Sequence, residues 1–264
     1  MISIRDVHVT FNAGTPLENK ALRGLSLSIP RGEFVTVIGS NGAGKSTCLN
    51  VLSGDARVSS GSIEVDGQDV TEWSTPKRAG MIARVFQDPM AGTCEALSIE
   101  ENMALALRRG SGRGLKNSLD SGRRALFREH LSRLGLGLEN RLGDSIGLLS
   151  GGQRQAVSLL MAALAGMKIL LLDEHTAALD PRTAEFVLQL TDRIVKEHNL
   201  TALMVTHSMR NALDHGTRTV MLHEGRVAFD ISGNDRQGLG VTDLLKLFER
   251  VKKEQLVEDS LLLG

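Results

Sequence analysis

The sequence predicts an α/β fold with a mainly parallel β-sheet at its centre. Phe34–Ile38 is a short β-branched run typical of a buried strand, and a glycine-rich turn and a helical stretch follow it. Ile169–Leu172 is a second short apolar run of the same kind. Strand-like and helix-like segments alternate through the C-terminal part of the chain, and this alternation favours crossover connections between parallel strands.

The N-terminal part of the chain is rich in strand-like segments. Apolar residues alternate roughly with polar ones along Ile2–Phe11 and again along Leu25–Ile29. Glycines bound a short strand candidate at Gly61–Gly67, and Ile82–Phe86 is a further candidate. We predict a helix over Lys45–Ser53, directly after the glycine-rich turn.

The middle of the chain, residues 88–166, has a helical character and is predicted to be an insertion into the α/β core. Helices are expected over Glu100–Arg109, Ser121–Leu134 and Ser150–Leu164, where apolar residues recur at helical spacing or a glycine-rich start precedes an apolar run. Gly110–Gly122 is rich in Gly, Ser and basic residues, which indicates a polar connector.

Alternating strands and helices return after residue 166. The predicted strands are Lys168–Asp173, Ala202–Thr206 and Thr219–Leu222, and the predicted helices are Thr183–Glu197 and Met209–Asp214. Near the C-terminus, apolar residues recur at helical spacing: Val241, Leu244, Leu245, Phe248 and Val251. We interpret them as a helix packed on its own domain; the alternative is a contact with a second subunit or a membrane protein.

Composition narrows the class of protein. The chain has 264 residues, enough for one or two domains of about 100–200 residues each. Its 31 basic and 31 acidic residues balance, so there is no net charge to attract nucleic acid, and we expect no nucleic-acid partner. The two cysteines, Cys48 and Cys94, are far apart and are poor evidence for a disulfide, which suits a reducing cytosol.

Targeting and membrane signals are also weak. Residues 1–11 lack the basic and apolar regions of a signal peptide. No stretch approaches the roughly 18 uncharged apolar residues that a membrane helix needs. We therefore expect a protein that spans no bilayer but is able to dock on a partner that does.

A glycine-rich loop between a predicted strand and a predicted helix is the first motif that carries chemistry. It fits the phosphate-binding pattern G-x-x-x-x-G-K-[ST]. Its residues are Gly39, Ser40, Asn41, Gly42, Ala43, Gly44, Lys45, Ser46 and Thr47. Glycines let the backbone N–H groups turn inward, and these groups and the helix N-terminus favour a polyphosphate. The alternative is a glycine-rich turn that merely caps a helix.

Each side chain of this loop has an expected role. Lys45 is expected to reach the β- and γ-phosphates, Ser46 to bind Mg²⁺, and Thr47 to contact the α-phosphate side.

Two acids at the end of an apolar strand form the second motif. Asp173 and Glu174 follow Ile169–Leu172, at the strand end where ligands bind in open α/β sheets. Asp173 is expected to hold Mg²⁺ through water, and Glu174 to position and polarise the attacking water. The alternative is a strand whose acids cap the next helix.

The third motif is Leu149–Gln155, with the sequence LSGGQRQ. Ser150 is predicted to cap a helix, and its hydroxyl and the amides of Gly151 and Gly152 are able to donate to a phosphate. Together with the glycine-rich loop upstream and the LLLDE run downstream, this segment resembles the signature of the ABC ATPase family. In that family the loop, including Gln153, covers the γ-phosphate held by a partner subunit.

Other positions match the family's motifs in order, and the resemblance covers the chain from about Ile2 to Asp230. It implies that Gln87 is a ligand of Mg²⁺ and water, that Asp180 belongs to a loop crossing the dimer interface, and that His207 contacts the γ-phosphate. Phe11 falls where the family places an aromatic that stacks on adenine. For His207 and Phe11 the alternatives are a structural histidine and a core residue of an alternating strand.

Two departures from the family pattern are visible. His175 stands where the family usually has proline, so the turn after Glu174 is either looser or carries a titratable group; we interpret it as tolerated variation. Residues 88–95 differ from the common form of a segment that forms the groove for a permease helix, which suggests a partner from a distinct subgroup.

The resemblance implies a fold and a domain plan. The fold is a P-loop NTPase core with a mainly parallel sheet, an antiparallel N-terminal β-subdomain and an inserted α-helical subdomain. We expect one domain over 1–264: a nucleotide-binding core at 1–87 and 167–230, a helical subdomain at 88–166, and a C-terminal helical tail at 231–264.

The resemblance also implies a function. We expect an ATP-hydrolysing subunit that uses ATP and Mg²⁺, that forms a homodimer or a heterodimer with a related subunit, and that drives a separate integral membrane permease from the cytoplasmic face of the membrane. The layout is that of a bacterial importer of small solutes, with amino acids as one candidate class and a solute-binding protein as a further partner.

Two other classes remain open from the sequence. One is an ABC ATPase that serves a cytosolic assembly such as iron–sulfur cluster building. The other is a nucleotide-binding module without turnover, which Glu174 and His207 argue against.

Overall fold

The computed structural model of the chain describes residues 2–110, 119–164 and 166–262, with side chains described as far as residue 251. The predicted α/β class is confirmed, with one antiparallel and one mainly parallel sheet. Most of the polar connector predicted at Gly110–Gly122 lies outside the described residues.

The described strands, in chain order, are β1 (Ile2–Phe11), β2 (Asn19–Ile29), β3 (Phe34–Gly39), β4 (Ser60–Val65), β5 (Gln68–Asp69), β6 (Ile82–Val85), β7 (Ile169–Asp173), β8 (Thr201–Val205), β9 (Arg218–His223) and β10 (Arg226–Ser232). The described α-helices are α1 (Lys45–Ser53), α2 (Thr75–Arg78), α3 (Ile99–Leu107), α4 (Ser121–Ser132), α5 (Gly151–Leu164), α6 (Pro181–Glu197), α7 (Met209–Asp214), α8 (Gly233–Arg236) and α9 (Val241–Leu262).

The two sheets have different characters. The N-terminal sheet has the order β2-β1-β4-β5 and is antiparallel throughout. The second sheet has the order β10-β9-β3-β8-β7-β6, in which only the edge strand β10 is antiparallel. Its inner strands are nearly continuous apolar runs because they are covered on both faces.

Several short elements were not predicted. They are β5, α2 and β10, and the first two have two and four residues. Short elements carry too few residues for a periodic pattern, and the apolar residues of β10 are broken by Asp230. β10 ends at Ser232, slightly beyond the core boundary expected at residue 230.

The parallel order of the second sheet sets the position of the site. β3, β6, β7 and β8 all point the same way, so their carboxyl ends meet at one edge of the sheet. The glycine-rich loop follows β3, Gln87 follows β6, Asp173 ends β7, and His207 follows β8. Four motifs that are far apart in the sequence therefore share one edge.

Two large apolar clusters cover the faces of this sheet. One joins β6, β7 and β8 to the helices α3, α4, α5 and α6, so the helical segment of the middle of the chain packs directly on the core. The other lies between α1, the opposite face of the sheet and the N-terminal sheet. A smaller cluster around Leu244 packs α9 on α7 and β9.

The C-terminal end of α1 is anchored by Arg78, which is fully buried. Its guanidinium donates to the carbonyl oxygens of Val51 and Leu52 in α1. It also donates to carbonyls of the loop after β5. Because the last carbonyls of a helix have no partner within it, this arginine satisfies them and fixes the helix that begins at the glycine-rich loop.

Candidate functional site

The glycine-rich loop adopts a backbone that only glycine fits. Gly39 has φ 151°, and a Cβ there would lie 2.2 Å from the backbone oxygen of Leu222. Gly44 has φ 97°, and a Cβ there would lie 2.8 Å from the backbone oxygen of Ala21. The loop is thus pressed against neighbouring backbone and delivers the chain into α1 at Lys45, where a free helix N-terminus favours an anion.

The amine of Lys45 bonds back to the first residues of the glycine-rich loop. Its Nζ donates to the carbonyl oxygens of Gly39 at 2.9 Å and Ser40 at 3.0 Å, and the residue is only 5% exposed. Burial lowers the pKa of Lys45, and the nearby carboxylates of Glu174 and Asp173 act in the opposite direction. The amine therefore contacts the loop and is close enough to the two acids for the charges to interact.

A cavity of about 230 Å³ opens beside this loop. It is lined by Phe11, Asn19, Ala21, Asn41, Gly42, Ala43, Gly44, Lys45, Ser46, Thr47, Glu174 and His207. Phe11 is at the end of β1, opposite Asn19 of β2, and is 40% exposed at the rim. The structure thus brings together the phosphate loop, the predicted aromatic, and the predicted acid and histidine.

Glu174 and His207 form a direct contact. His207 Nε2 lies 2.6 Å from Glu174 Oε1. The Glu174 carboxylate is mostly buried, whereas about half of the His207 side chain is exposed. Glu174 has the left-handed φ of 46°, and its backbone N–H donates to the oxygen of Val205 at 3.1 Å. This bond ties the turn after β7 to the end of β8.

Asp173 is held by an arginine that was not singled out in the sequence. Arg84 Nη2 donates to Asp173 Oδ2 at 2.5 Å. Arg84 is in β6, level with Leu171 of β7. A lone arginine in a short strand has no sequence pattern that predicts a partner, since the contact arises only from strand pairing.

Gln87 is exposed at the end of β6, close in sequence to Phe86. The buried Gln155 of α5 donates through Nε2 to the Phe86 oxygen at 3.1 Å. This bond links the helix that begins at LSGGQRQ to the residue before Gln87. Gln155 was part of the recognised motif, but its role in this link was not predicted.

The LSGGQRQ segment caps a helix as predicted from its residues. The Gln153 N–H donates to Ser150 Oγ at 3.3 Å, and the Ser150 N–H donates to Gln153 Oε1 at 3.2 Å. This reciprocal pair is a capping box at the start of α5. Ser150 and Gly151 are exposed, and neither they nor Gly152 and Gln153 line the cavity beside the glycine-rich loop.

Asp180 also has a local structural role. Its Oδ1 accepts from the Thr183 N–H at 3.1 Å, which caps α6 with Pro181 in the first turn. Hydrogen bonding from Thr183 lowers the pKa of Asp180. A Cβ on Gly152 would lie 2.0 Å from Cγ2 of Thr183, so the starts of α5 and α6 are in close contact.

His175, in the place of the usual proline, is packed in the interior and does not line the cavity beside the glycine-rich loop. It is 2% exposed, and its Nε2 lies 2.9 Å from Thr191 Oγ1 of α6. The Thr191 hydroxyl donates to the Val187 oxygen, so the imidazole Nε2–H is the donor to Thr191. Burial lowers the pKa of His175 to about 3, with His215 acting in the same direction. The imidazole is therefore neutral and fastens the turn after Glu174 to α6.

A phosphate loop, two acids and a histidine gathered at the carboxyl edge of a parallel sheet define an ATP-hydrolysing P-loop protein. Within the described residues, no helix is both long enough and apolar enough to cross a membrane.

Comparison with known proteins specifies the family. Residues 22–177 match the ABC transporter family. The chain belongs to this family, as an ATP-binding subunit with ATPase activity. It is 45% identical over 250 residues to a tyrosine transport ATP-binding protein of Clostridioides difficile (strain R20291), covering 94% of this chain and 99% of that protein. It is 35% identical to the thiamine import ATP-binding protein of Escherichia coli (strain K12), covering 80% and 85%.

Solved structures agree with this assignment. The fold is similar to that of a dimeric ATP-binding cassette captured in a post-hydrolysis state with ADP and Pi, at a TM-score of 0.75 and 30% identity, covering 88% of this chain and 98% of the other. It is also similar to an ABC transporter cassette in its ADP conformation, at a TM-score of 0.76 and 22% identity. The predicted fold, with its antiparallel N-terminal sheet, is that of these cassettes.

Proposed function

We propose that this chain pairs head-to-tail with a second ABC subunit, so that two ATP molecules are enclosed between them and hydrolysis drives a separate membrane permease. One observation carries the proposal: Ser150 and Gly151, at the start of α5, are exposed and do not line the phosphate-loop cavity of their own chain. The start of α5 and the phosphate loop at the start of α1 both offer helix N-terminal amides that favour an anion. A second copy would bring the two together, and the dimeric relative supports this arrangement.

Different residues would bind the adenine, hold the phosphates and activate the attacking water. Phe11 at the rim would stack on adenine, the amides of residues 39–47 and Lys45 would hold the phosphates, and the partner subunit's Ser150 would donate to the γ-phosphate. Glu174 would accept hydrogen bonding from the attacking water, and His207, in contact with it, would orient the leaving phosphate. Asp180, at the start of α6, would also lie at the proposed interface between the two subunits.

The side chains at the site also fit Mg²⁺. The Ser46 hydroxyl, the exposed Gln87 amide and the Asp173 carboxylate all offer oxygen, the ligand type that Mg²⁺ prefers. Lys45 lies near enough to Asp173 for the two charges to interact, so the carboxylate borders the phosphate site. When bound with ATP, the ion would neutralise charge on the β- and γ-phosphates.

Transport is proposed on the basis of the relatives. Several relatives of this chain are ATP-binding subunits named for transport or import. We propose an importer for an amino acid, because the tyrosine transport protein matches nearly the whole chain at 45% identity, against 35% for the thiamine and phosphonate proteins. The permease would dock on the helical segment 88–166, and the chain would lie on the cytoplasmic face of the membrane, with a solute-binding protein completing the complex.

A mixing experiment tests the composite site. Lys45→Ala removes the phosphate-loop amine, whereas Ser150→Asp keeps a good helix cap but places a negative charge where the partner's phosphate would lie. Each variant alone should lose most of its hydrolysis. An equal mixture should recover about a quarter of the wild-type rate, because about half of the dimers are mixed and each mixed dimer has one intact site.

Ser74→Asp is the matched control, because it adds the same charge at the exposed start of α2. It should leave hydrolysis close to that of the wild-type protein. A mixture of Lys45→Ala and Ser150→Asp that is no more active than the two proteins measured separately would refute the composite site.

The substrate class has its own test. The complex captured from membranes with a tagged chain is reconstituted into liposomes, and its ATPase rate is measured with a panel of amino acids, thiamine and a phosphonate. Stimulation by an amino acid supports the proposal, whereas stimulation by thiamine or the phosphonate alone contradicts it.

A further inference from the structure

Arg84 occupies an unusual position beside the site. It lies in β6, next to the strand that carries Asp173, and its side chain is only 12% exposed. Its Nη2 donates to Asp173 Oδ2 at 2.5 Å. Its Nη1 donates to Asn50 Oδ1 at 2.7 Å and to Asp55 Oδ2 at 3.1 Å. One guanidinium therefore joins Asp173 to the helix that follows the phosphate loop.

The geometry favours a rigid connection. Asn50 is in α1, and Asp55 follows the end of that helix. The guanidinium also lies over the ring of Phe86, 4.8 Å from its centroid. A planar guanidinium with partners on both Nη atoms has a fixed orientation, which a lysine amine at the same place would not reproduce.

Asp173 depends on this contact more than Asp55 does. Asp55 also accepts from Ser53 Oγ at 2.7 Å and from Thr75 Oγ1 at 3.1 Å, so it has other partners if Arg84 is lost. Within the described part of the chain, Arg84 alone makes a side-chain hydrogen bond to Asp173. The orientation of the Asp173 carboxylate is thus set by Arg84.

We infer that Arg84 is a positioning residue that orients Asp173 and thereby sets the Mg²⁺ concentration at which the protein binds ATP tightly. The inference rests on the proposed role of Asp173 as a ligand of Mg²⁺. It follows the general rule that groups bonded to a metal-binding carboxylate determine its geometry, and that their loss costs about 10–100-fold in metal affinity or activity. The positive charge of Arg84 opposes the ion, so the benefit is one of geometry.

The test measures nucleotide binding in a background that does not turn over. A fluorescent ATP analogue is bound to the Glu174→Gln protein, first with a chelator and then with increasing Mg²⁺, and the half-saturating Mg²⁺ concentration is determined. Adding Arg84→Met should raise that concentration by about tenfold or more. With the chelator present, the variant should bind the analogue as tightly as the parent does, because the phosphate loop is intact.

Two further variants separate positioning from structural support. Arg84→Lys keeps the positive charge but loses the planar, two-pronged guanidinium, so it should raise the Mg²⁺ requirement less than Arg84→Met does. If Arg84→Met fails to fold, Arg84→Lys provides the test instead. Asp55→Asn weakens the other contact of Arg84 and should leave the Mg²⁺ requirement close to that of the parent protein.

The outcomes distinguish this inference from the proposed function. If Mg²⁺ has no effect on analogue binding to the Glu174→Gln parent, the proposed metal role of Asp173 fails. If the parent responds to Mg²⁺ but the Arg84 variants have the same requirement as the parent, or a lower one, the inference about Arg84 is overturned while the metal role stands.

Discussion

His207 Nε2 lies 2.6 Å from Oε1 of Glu174, although the two residues follow different strands of the central sheet. The strands β7 and β8 are parallel neighbours, with Asp173 level with Val205. The residues that follow each strand therefore leave the same sheet edge side by side. The pairing of these strands therefore holds the proposed general base and its polar neighbour in contact.

Substitution of Glu174 should abolish turnover without abolishing binding. Glu174→Gln keeps the size of the side chain but removes its ability to accept a proton from water, so hydrolysis should fall by roughly 10²–10⁴-fold. Phosphate release measures the rate, and a fluorescent ATP analogue measures binding, which should stay close to that of the wild-type protein. Substantial turnover by this variant would show that another group acts as the base.

Substitution of Lys45 should act on binding itself. Lys45→Ala removes the amine that bridges the mouth of the phosphate loop, so the affinity for ATP should fall. Lys77→Ala is a matched control, because Lys77 is exposed over the ring of Trp73 and does not line the cavity. Titration calorimetry with ATP would compare the three proteins. Equal affinity in Lys45→Ala and the wild-type protein would contradict the assigned role.

Close packing between Gly152 and Thr183 should appear as an energetic coupling. A Cβ at position 152 would lie 2.0 Å from Thr183 Cγ2, so Gly152→Ala forces the threonine to move. Thr183→Ser removes that methyl group and should make Gly152→Ala less destabilising by on the order of 1 kcal/mol. Denaturant unfolding of the four proteins of the cycle gives the coupling.

Gly151→Ala is the control for that cycle, because a Cβ there would meet only Leu179 Cδ2 at 3.5 Å, an ordinary contact. Gly151→Ala should change the free energy of unfolding by the same amount whether residue 183 is threonine or serine. A coupling of similar size for Gly151 and Gly152 would mean that the predicted collision does not occur.

The stability of the fold should depend on pH through His215. Its Nδ1 lies 2.7 Å from Asp192 Oδ2, and this hydrogen bond raises the pKa of His215 above 6.5, against the opposing effect of burial. The folded protein thus binds the proton more tightly than the unfolded chain. The stabilisation is complete below about pH 6.5 and is lost as the pH rises through the raised pKa.

Asp192→Asn should weaken that dependence, because it removes the largest cause of the raised pKa of His215. The difference in free energy of unfolding between the wild-type protein and this variant should decrease as the pH rises from about 6 to about 9. Glu185 and Asp214 also face His215 and support its charge, and the buried His175 lies nearby as a neutral group, so both proteins share those contributions. A difference that is constant over this range would exclude titration of His215 as the cause.

Much of the site could be predicted from the sequence because its parts are local. The glycine-rich loop, the acids after Ile169–Leu172 and the cap at Ser150 are each short segments whose chemistry is carried by consecutive residues. Helix α1 occupies the predicted residues Lys45–Ser53, and α7 occupies Met209–Asp214. Both begin after a turn or a capping residue, which fixes their start in the sequence itself.

The contacts between segments were decided only by the tertiary structure. The bond from Arg84 to Asp173 and the bond from Gln155 to Phe86 each join residues on different elements. His175 was open to two interpretations, and its burial against Thr191 is decided by how α6 packs on the sheet. Local sequence predicts which groups are available to bind phosphate and water. The pairing of parallel strands and the packing of helices determine which side chains contact those groups, because these neighbours are distant along the chain.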